Sequence, residues 1–183
     1  MESMTQLVVI GAGPGGYTAA FRAADLGMKV TLVERDPTLG GVCLNVGCIP
    51  SKALLHAAKV IADARDMAAH GVSFGAPNID LPALRGWKEK VVGGLTGGLK
   101  ALAKQRKVEV LTGDARFVDA HTLSITGADG TASQLRFEQA IIAAGSQPVR
   151  LPGIPYEDPR VIDSTGALAL QDIPARLLVI GGG

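Results

Sequence analysis

The sequence predicts an α/β protein: a Rossmann-like parallel sheet with crossover helices and a small antiparallel β-meander. Three observations carry this. The apolar run Gln6–Ile10 has the character of a strand buried on both faces, and it leads into the glycines of 11–16. Tyr17–Leu26 is alanine-rich and suits a helix that Gly27 ends. Lys29–Glu34 is a second apolar run closed by an acid, which completes strand, helix and strand within about thirty residues, the size of a βαβ unit. Such a crossover is right-handed and its two strands are parallel.

The later elements follow in order. Ser51–Ala69 reads as a long helix with Ala53, Leu54, Ala57, Val60 and Ile61 along one side. Gly71–Pro77 is a loop, and Pro82 opens another helix reaching about Lys104. Gly93, Gly94, Gly97 and Gly98 weaken that helix, each costing about 1 kcal/mol against alanine. Val108–Leu111, Ala115–Val118, Thr122–Thr126 and Gln134–Phe137 have the pattern of short strands, and Gln139–Ala144 that of a buried one. Pro148, Pro152, Pro155 and Pro159 mark a linker. Leu177–Ile180 then repeats the strand-into-glycine pattern of Leu7–Gly13, so residues 1–150 form one domain. Residues 151–183 are expected to be a linker and the first strand of a second dinucleotide unit, cut short.

Composition excludes other classes. With 47% hydrophobic and 19% charged residues and a net charge of +1, the chain is neither disordered nor a basic nucleic-acid-binding domain. Aromatic residues make up only 4%, so the core is aliphatic. Ser3–Phe21 carries no charge and is long enough for a membrane span, but its glycines and Pro14 break it and no basic stretch precedes it. A soluble, cytoplasmic protein is expected. Two cysteines cannot build the disulfide framework of a secreted miniprotein.

Gly11-Ala12-Gly13-Pro14-Gly15-Gly16 fits G-x-G-x-x-G between a strand and a helix. Gly11 allows the tight turn, Gly13 lets backbone approach a pyrophosphate, and Gly16 lets helix and strand pack closely. Free N–H groups and the helix dipole favour the phosphates. Glu34 stands eighteen positions beyond Gly16, near the spacing of an acid that binds a ribose hydroxyl, and would repel a 2′-phosphate. The motif alone does not separate FAD from NAD.

Cys43 and Cys48 are five positions apart. In a regular helix their Cα atoms would lie about 7.5 Å apart along the axis, beyond easy disulfide reach. If they pair, the segment is distorted, and Gly47 and Pro50 supply the freedom. A bond across so short a loop suits a reducible pair better than a staple. The alternative is two unrelated small hydrophobes. Zinc is poorly served, because His56, His70 and His121 have no usual ligand spacing and are expected at the surface. Two facts favour the redox pair: the cysteines follow the strand that carries Glu34, and a second dinucleotide unit begins near Leu177, with Gly181 and Gly183 in its turn. A flavin mediates between a dithiol and a nicotinamide, which puts FAD in the first unit and NAD in the second.

Gly40–Lys52, reading GGVCLNVGCIPSK, closely resembles the redox segment of the pyridine nucleotide–disulfide oxidoreductases, the dihydrolipoamide dehydrogenases in particular. Trp87-Lys88, Leu95–Gly98, Ile141–Pro148 and Asp163–Leu168 are similar too. Glutathione and mercuric reductases share the cysteine spacing but usually have Thr-Cys-Val-Asn where this chain has Val42-Cys43-Leu44-Asn45. The resemblance implies that Cys43 exchanges with the lipoyl sulfur and Cys48 faces the flavin. It implies an FAD site from Gly11, Gly13, Pro14, Gly15, Gly16, Glu34, Arg35, Gly40, Gly41, Val42, Cys43, Cys48 and Lys52, with Gly113, Asp114 and Ala115 at the adenine end, and with Ala143, Ala144 and Gly145. Ala144 stands where the family often carries threonine, so that hydroxyl is missing. It further implies a homodimer serving lipoyl domains of 2-oxo acid dehydrogenase complexes or the glycine cleavage system. The family's catalytic histidine, its glutamate and a last FAD-binding aspartate belong to later sequence, so the 183 residues alone are expected to be inactive. Another flavin disulfide reductase, glutathione or mercuric reductase-like, and a non-catalytic dinucleotide-binding fragment are the competing readings.

Overall fold

The computed structural model describes residues 3–181. The first apolar run forms β1 (Ser3–Ile10). Leu7 and Val9 join one core cluster and Val8 the other, and all three are buried, as a strand covered on both faces requires. The helix α1 (Pro14–Asp25) crosses to β2 (Val30–Glu34), which lies parallel to β1 with Leu7 opposite Val30. Every residue of β2 is buried.

Two helices follow, α2 (Gly41–Val46) and α3 (Cys48–Asp66), separated at Gly47. The second was expected from Ser51 but begins at Cys48. Pro50 sits in its first turn, where the N–H it lacks has no helical partner to lose. A 3₁₀ turn, Met67–His70, replaces the expected last residues and ends at Gly71 with φ +82°. Of the expected apolar side, Ala53 is buried, whereas Val60 and Ile61 stay largely exposed.

Helix α4 (Leu81–Gln105) runs through its glycines without a break. Asp80 caps it, its carboxylate accepting from the Ala83 N–H at 2.9 Å. Lys88, Val92, Leu99 and Ala103 form the buried stripe that holds the helix, while Gly93, Gly94, Gly97 and Gly98 face open space. Packing outweighs propensity here.

Strands β3 (Glu109–Thr112), β4 (Asp114–Asp119), β5 (Thr122–Thr126) and β6 (Ala132–Ile142) complete one six-stranded sheet in the order β3-β2-β1-β6-β5-β4. The strands read separately at 134–137 and 139–144 are a single strand: Leu135 and Phe137 keep a period of two, and Glu138 introduces no turn. One edge of β6 pairs antiparallel with β5 from Ala132 to Arg136. Its other edge runs parallel to β1 from Leu135 to Ile142. The β4–β5 ribbon covers the second face of the sheet, where Leu123 and Ile125 pack on Val8 and Val33. Helices α1 and α4 cover the first, with Ala20, Phe21, Leu99 and Ala103 against Leu7, Val9 and Leu32.

The stretch expected as linker contains a short helix, α5 (Ser164–Ala169), capped by Asp163. The strand expected at Leu177–Ile180 is not formed: these residues have no sheet partner among the described residues, and their exposures run from 67% to 84%. A parallel strand of that composition needs a neighbouring strand to pair with and cover on both faces. Gly183, expected in the second glycine turn, lies outside the described residues; Gly181 has φ +95°. No helix among the described residues is long and apolar enough to cross a membrane.

Candidate functional site

The chain leaves β1 toward β2 on one side, while β6 flanks β1 on the other. The carboxyl ends of β1 and β6 therefore meet at the point where strand order reverses, the crevice in which open α/β sheets bind ligands. Gly11 and Ala143 face each other there. Gly11 has φ +96°, its N–H donates to the Val33 carbonyl at 2.8 Å, and a β-carbon on it would collide with the Ala143 carbonyl. Ala143 N–H donates to the Ile10 carbonyl at 2.8 Å, and Gly145 turns away with φ +73°. Gly16 is buried, and a β-carbon there would strike the Gly11 carbonyl.

Gly13 and Gly15 have a different surrounding. Gly13 is the N-cap of α1 in extended conformation, with no side-chain cap and no acid in the first turn. Gly15 is exposed, with nothing within 4 Å of where its β-carbon would stand. The N–H groups of Gly15 and Gly16 have no partner among the described residues, so this helix start is open to an anion. Pro14 at the first helical position costs nothing.

Glu34 is buried at the end of β2. One carboxylate oxygen accepts from the Ala12 N–H at 2.6 Å and the other from the Asp36 N–H at 3.1 Å. The acid is therefore built into the glycine turn rather than standing free at a strand end. The Gly113 N–H donates to the Glu34 carbonyl at 2.8 Å, which brings the start of β4 to the same place. A β-carbon on Gly113 would lie 2.7 Å from the Thr126 carbonyl oxygen, so this glycine also serves the β4–β5 packing. Asp114 is exposed and lies 3.3 Å from Arg116, while Ala115 packs into the second core cluster. Arg35 is solvent-exposed and its nearest acid, Asp36, is 3.9 Å away.

The two cysteines come together behind this turn. The Gly40 N–H donates to the Ala12 carbonyl at 2.8 Å, and Gly41 (φ +56°) packs so closely that a β-carbon would lie 2.7 Å from the Gly13 Cα. The cysteine-bearing segment is thereby pinned to the glycine turn. At Gly47 (φ −139°, ψ −111°) the helical path breaks, in the distortion that pairing of Cys43 and Cys48 was expected to need. Both are free thiols, Cys43 half-buried and Cys48 exposed. The neighbouring Cys48 thiol and, after it, burial push Cys43 above the usual thiol range; the Lys52 ammonium pulls it the other way. Lys52, the fifth residue of α3, thus acts on Cys43 through its charge. Val42 is exposed beside them.

A family model described as pyridine nucleotide-disulphide oxidoreductase matches residues 5–183. The chain belongs to that family. Among curated relatives, a dihydrolipoyl dehydrogenase of Haemophilus influenzae is 58% identical over 182 residues, covering 100% of this chain and 38% of its own length. One of Vibrio cholerae is 55% identical with the same coverage. The chain thus spans little more than a third of these relatives. Among solved structures, the HOCl-induced flavoprotein disulfide reductase RclA from Escherichia coli superposes with a TM-score of 0.75 at 31% identity, over 92% of this chain and 35% of that one.

An apolar groove of about 720 Å³ lies between α3, α4 and the 77–81 loop, lined by Leu54, Val60, Ile61, Ile79 and Trp87. It contains neither cysteine and none of the turn glycines. His56, His70 and His121 are exposed as expected. Sequence reasoning gave no role to Asn45 or a buried position to Lys88. An asparagine inside a helix competes with the backbone for its own hydrogen bonds, and that was the available signal for Asn45.

Proposed function

We propose that this chain is the FAD-binding, dithiol-bearing part of a dihydrolipoyl dehydrogenase. The observation that carries this reading is the Cys43–Cys48 pair at the Gly47 break, on a segment whose Gly41 is packed against Gly13 of the glycine turn. The identity to dihydrolipoyl dehydrogenases across the whole chain supports it.

The residues present fit a flavin dinucleotide. Gly13, Pro14, Gly15 and Gly16 would take the pyrophosphate on the open start of α1, and Glu34 the ribose. Backbone at Gly113, Asp114 and Ala115 would border the adenine, with Arg35 outside it. Gly40, Gly41, Val42, Cys43, Cys48 and Lys52 would line the flavin end, facing Ala143, Ala144 and Gly145. FAD, when bound, supplies the two-electron acceptor that passes a hydride on to NAD⁺. Residues 1–150 would form this domain. Residues 151–183, with Gly181 and Gly183, would lead into an NAD-binding domain.

Cys43 and Cys48 do the sulfur chemistry. From the oxidised pair, one thiolate of a dihydrolipoamide attacks the Cys43 sulfur, the Cys43–Cys48 bond breaks, and Cys48 leaves as a thiolate. The second lipoyl thiol, losing its proton, attacks the mixed disulfide. Lipoamide closes its ring and Cys43 is released reduced, so two electrons have moved from lipoyl to cysteines. Lys52 favours the thiolate of Cys43 in this exchange. The substrate would be carried on lipoyl domains of 2-oxo acid dehydrogenase complexes or the glycine cleavage system, and a homodimer would complete the site with its general base.

The test is Cys43→Ser in a protein that carries this chain at the length of its relatives. Flavin should remain bound while dihydrolipoamide:NAD⁺ turnover is lost. Retained turnover refutes the role of Cys43. Reduction of glutathione disulfide or mercuric ion in preference to lipoamide refutes the substrate.

A further inference from the structure

We propose that Asn45 is a positioning residue for the Cys43–Cys48 pair, latching α2 to the 38–40 loop so that the helix stops at Gly47 and the two thiols meet.

The geometry of a helix makes such a latch necessary. Were α2 to continue into α3 as one helix, Cys43 and Cys48 would be separated by about 7.5 Å of rise and roughly 140° of rotation, on nearly opposite sides. The break at Gly47 brings them together, and nothing in glycine itself holds a break in one direction. Asn45 lies between the two cysteines and directs its polar groups to the preceding loop and to the first residue of α2 itself. Its amide donates to the Leu39 carbonyl at 3.2 Å and the Gly41 carbonyl at 3.0 Å, and its oxygen accepts from the Thr38 hydroxyl at 2.9 Å. That loop is itself anchored, since the Gly40 N–H donates to the Ala12 carbonyl at 2.8 Å and Leu39 is buried in the core. The side chain therefore ties the cysteine-bearing helix to the frame of the glycine turn. A β-carbon at Gly47 would stand 2.8 Å from the Val42 carbonyl oxygen, so the break is a close fold of the chain over α2.

The inference rests on the redox reading above only for the use made of the pair. The purified protein is equilibrated in glutathione buffers of graded potential, and the fraction of Cys43–Cys48 disulfide is read by mass after trapping. For Asn45→Ala the disulfide equilibrium constant should fall about tenfold, moving the midpoint up by about 30 mV. Asn45→Asp keeps size and the acceptor for Thr38 but loses the donor, and should fall as far. Thr38→Val removes one bond, should fall by less, and carries the test if the Asn45 variants do not fold.

Thermal unfolding is measured alongside. A lowered Tm with a wild-type disulfide equilibrium in these variants assigns Asn45 to stability alone and overturns the proposal. If the wild-type pair forms no disulfide at all, the redox reading fails. The latch is then judged by the pH profile of Cys43 alkylation. Losing its contact with Cys48 should move the midpoint downward in Asn45→Ala, and an unmoved midpoint overturns the proposal.

Discussion

Gly11 and Ala143 leave no room for a side chain between them. The Gly11 backbone is held at φ +96°, and a β-carbon there would enter the Ala143 carbonyl at the head of the sheet. Gly11→Ala is expected to lower folding stability by about 1–3 kcal/mol from backbone strain, before any shift of Ala143 is counted. Urea unfolding of the two proteins measures it. Unchanged stability would mean that the two strand ends part at no cost.

Gly15 makes the opposite case. It has open space around it and an ordinary φ, so Gly15→Ala should leave urea unfolding within about 0.5 kcal/mol of the parent. The added methyl stands where a phosphate would approach the free N–H groups of α1. Flavin retention, read by absorbance after gel filtration, should fall in Gly15→Ala. A variant that binds as tightly as the parent would place the pyrophosphate elsewhere.

The neighbouring Cys48 thiol and partial burial hold Cys43 above the usual thiol range, with Lys52 opposing. Cys48→Ala should therefore move the midpoint of Cys43 alkylation down, and Lys52→Met should move it up. Rates of iodoacetamide reaction against pH, with peptide mapping to Cys43, give both signs. For the reduced protein the raised pKa stabilises the fold below the pKa of the unfolded thiol. That contribution is lost as pH rises through the folded one. Shifts of the same sign in both variants would contradict the arrangement.

Lys88 is 3% exposed, and its ammonium donates to the Leu168 carbonyl at 2.7 Å near the end of α5 while meeting the Glu89 carboxylate at 2.8 Å. A cation at the carboxyl end of a helix is well placed for the macrodipole. Lys88→Ala removes a charged hydrogen bond and leaves that carbonyl unpaired, a loss of roughly 1.5–3 kcal/mol. Limited proteolysis should then cut between residues 160 and 176 sooner than in the parent. An unchanged cleavage pattern would show that α5 is held by other contacts.

Replacing Glu34 tests its double acceptance from Ala12 and Asp36. Glu34→Gln retains one oxygen and turns the other into an amide that cannot accept from a backbone N–H, so the 2.6 Å contact or the 3.1 Å contact must be lost. The variant should bind FAD more weakly, measured by isothermal titration. Affinity equal to the parent would remove Glu34 from the site.

By itself the chain of residues already determined the βαβ unit, the glycine turn, the acid at the end of β2 and the distorted cysteine segment. These are local: their signals are apolar runs, glycines and spacings within about fifty residues, and each states its own backbone requirement. Tertiary structure decided the rest. It continued α4 through Gly93, Gly94, Gly97 and Gly98, because a buried stripe of Val92, Leu99 and Ala103 outweighs the propensity of exposed glycines. It joined two short strands into β6, whose edges serve different partners. It left Leu177–Ile180 unpaired, since a strand exists only where another offers its edge. And it brought Ala143 to Gly11, and Asn45 to Thr38 and Leu39, because hydrogen bonds and close backbone approach depend on three-dimensional neighbours that no spacing along the chain records.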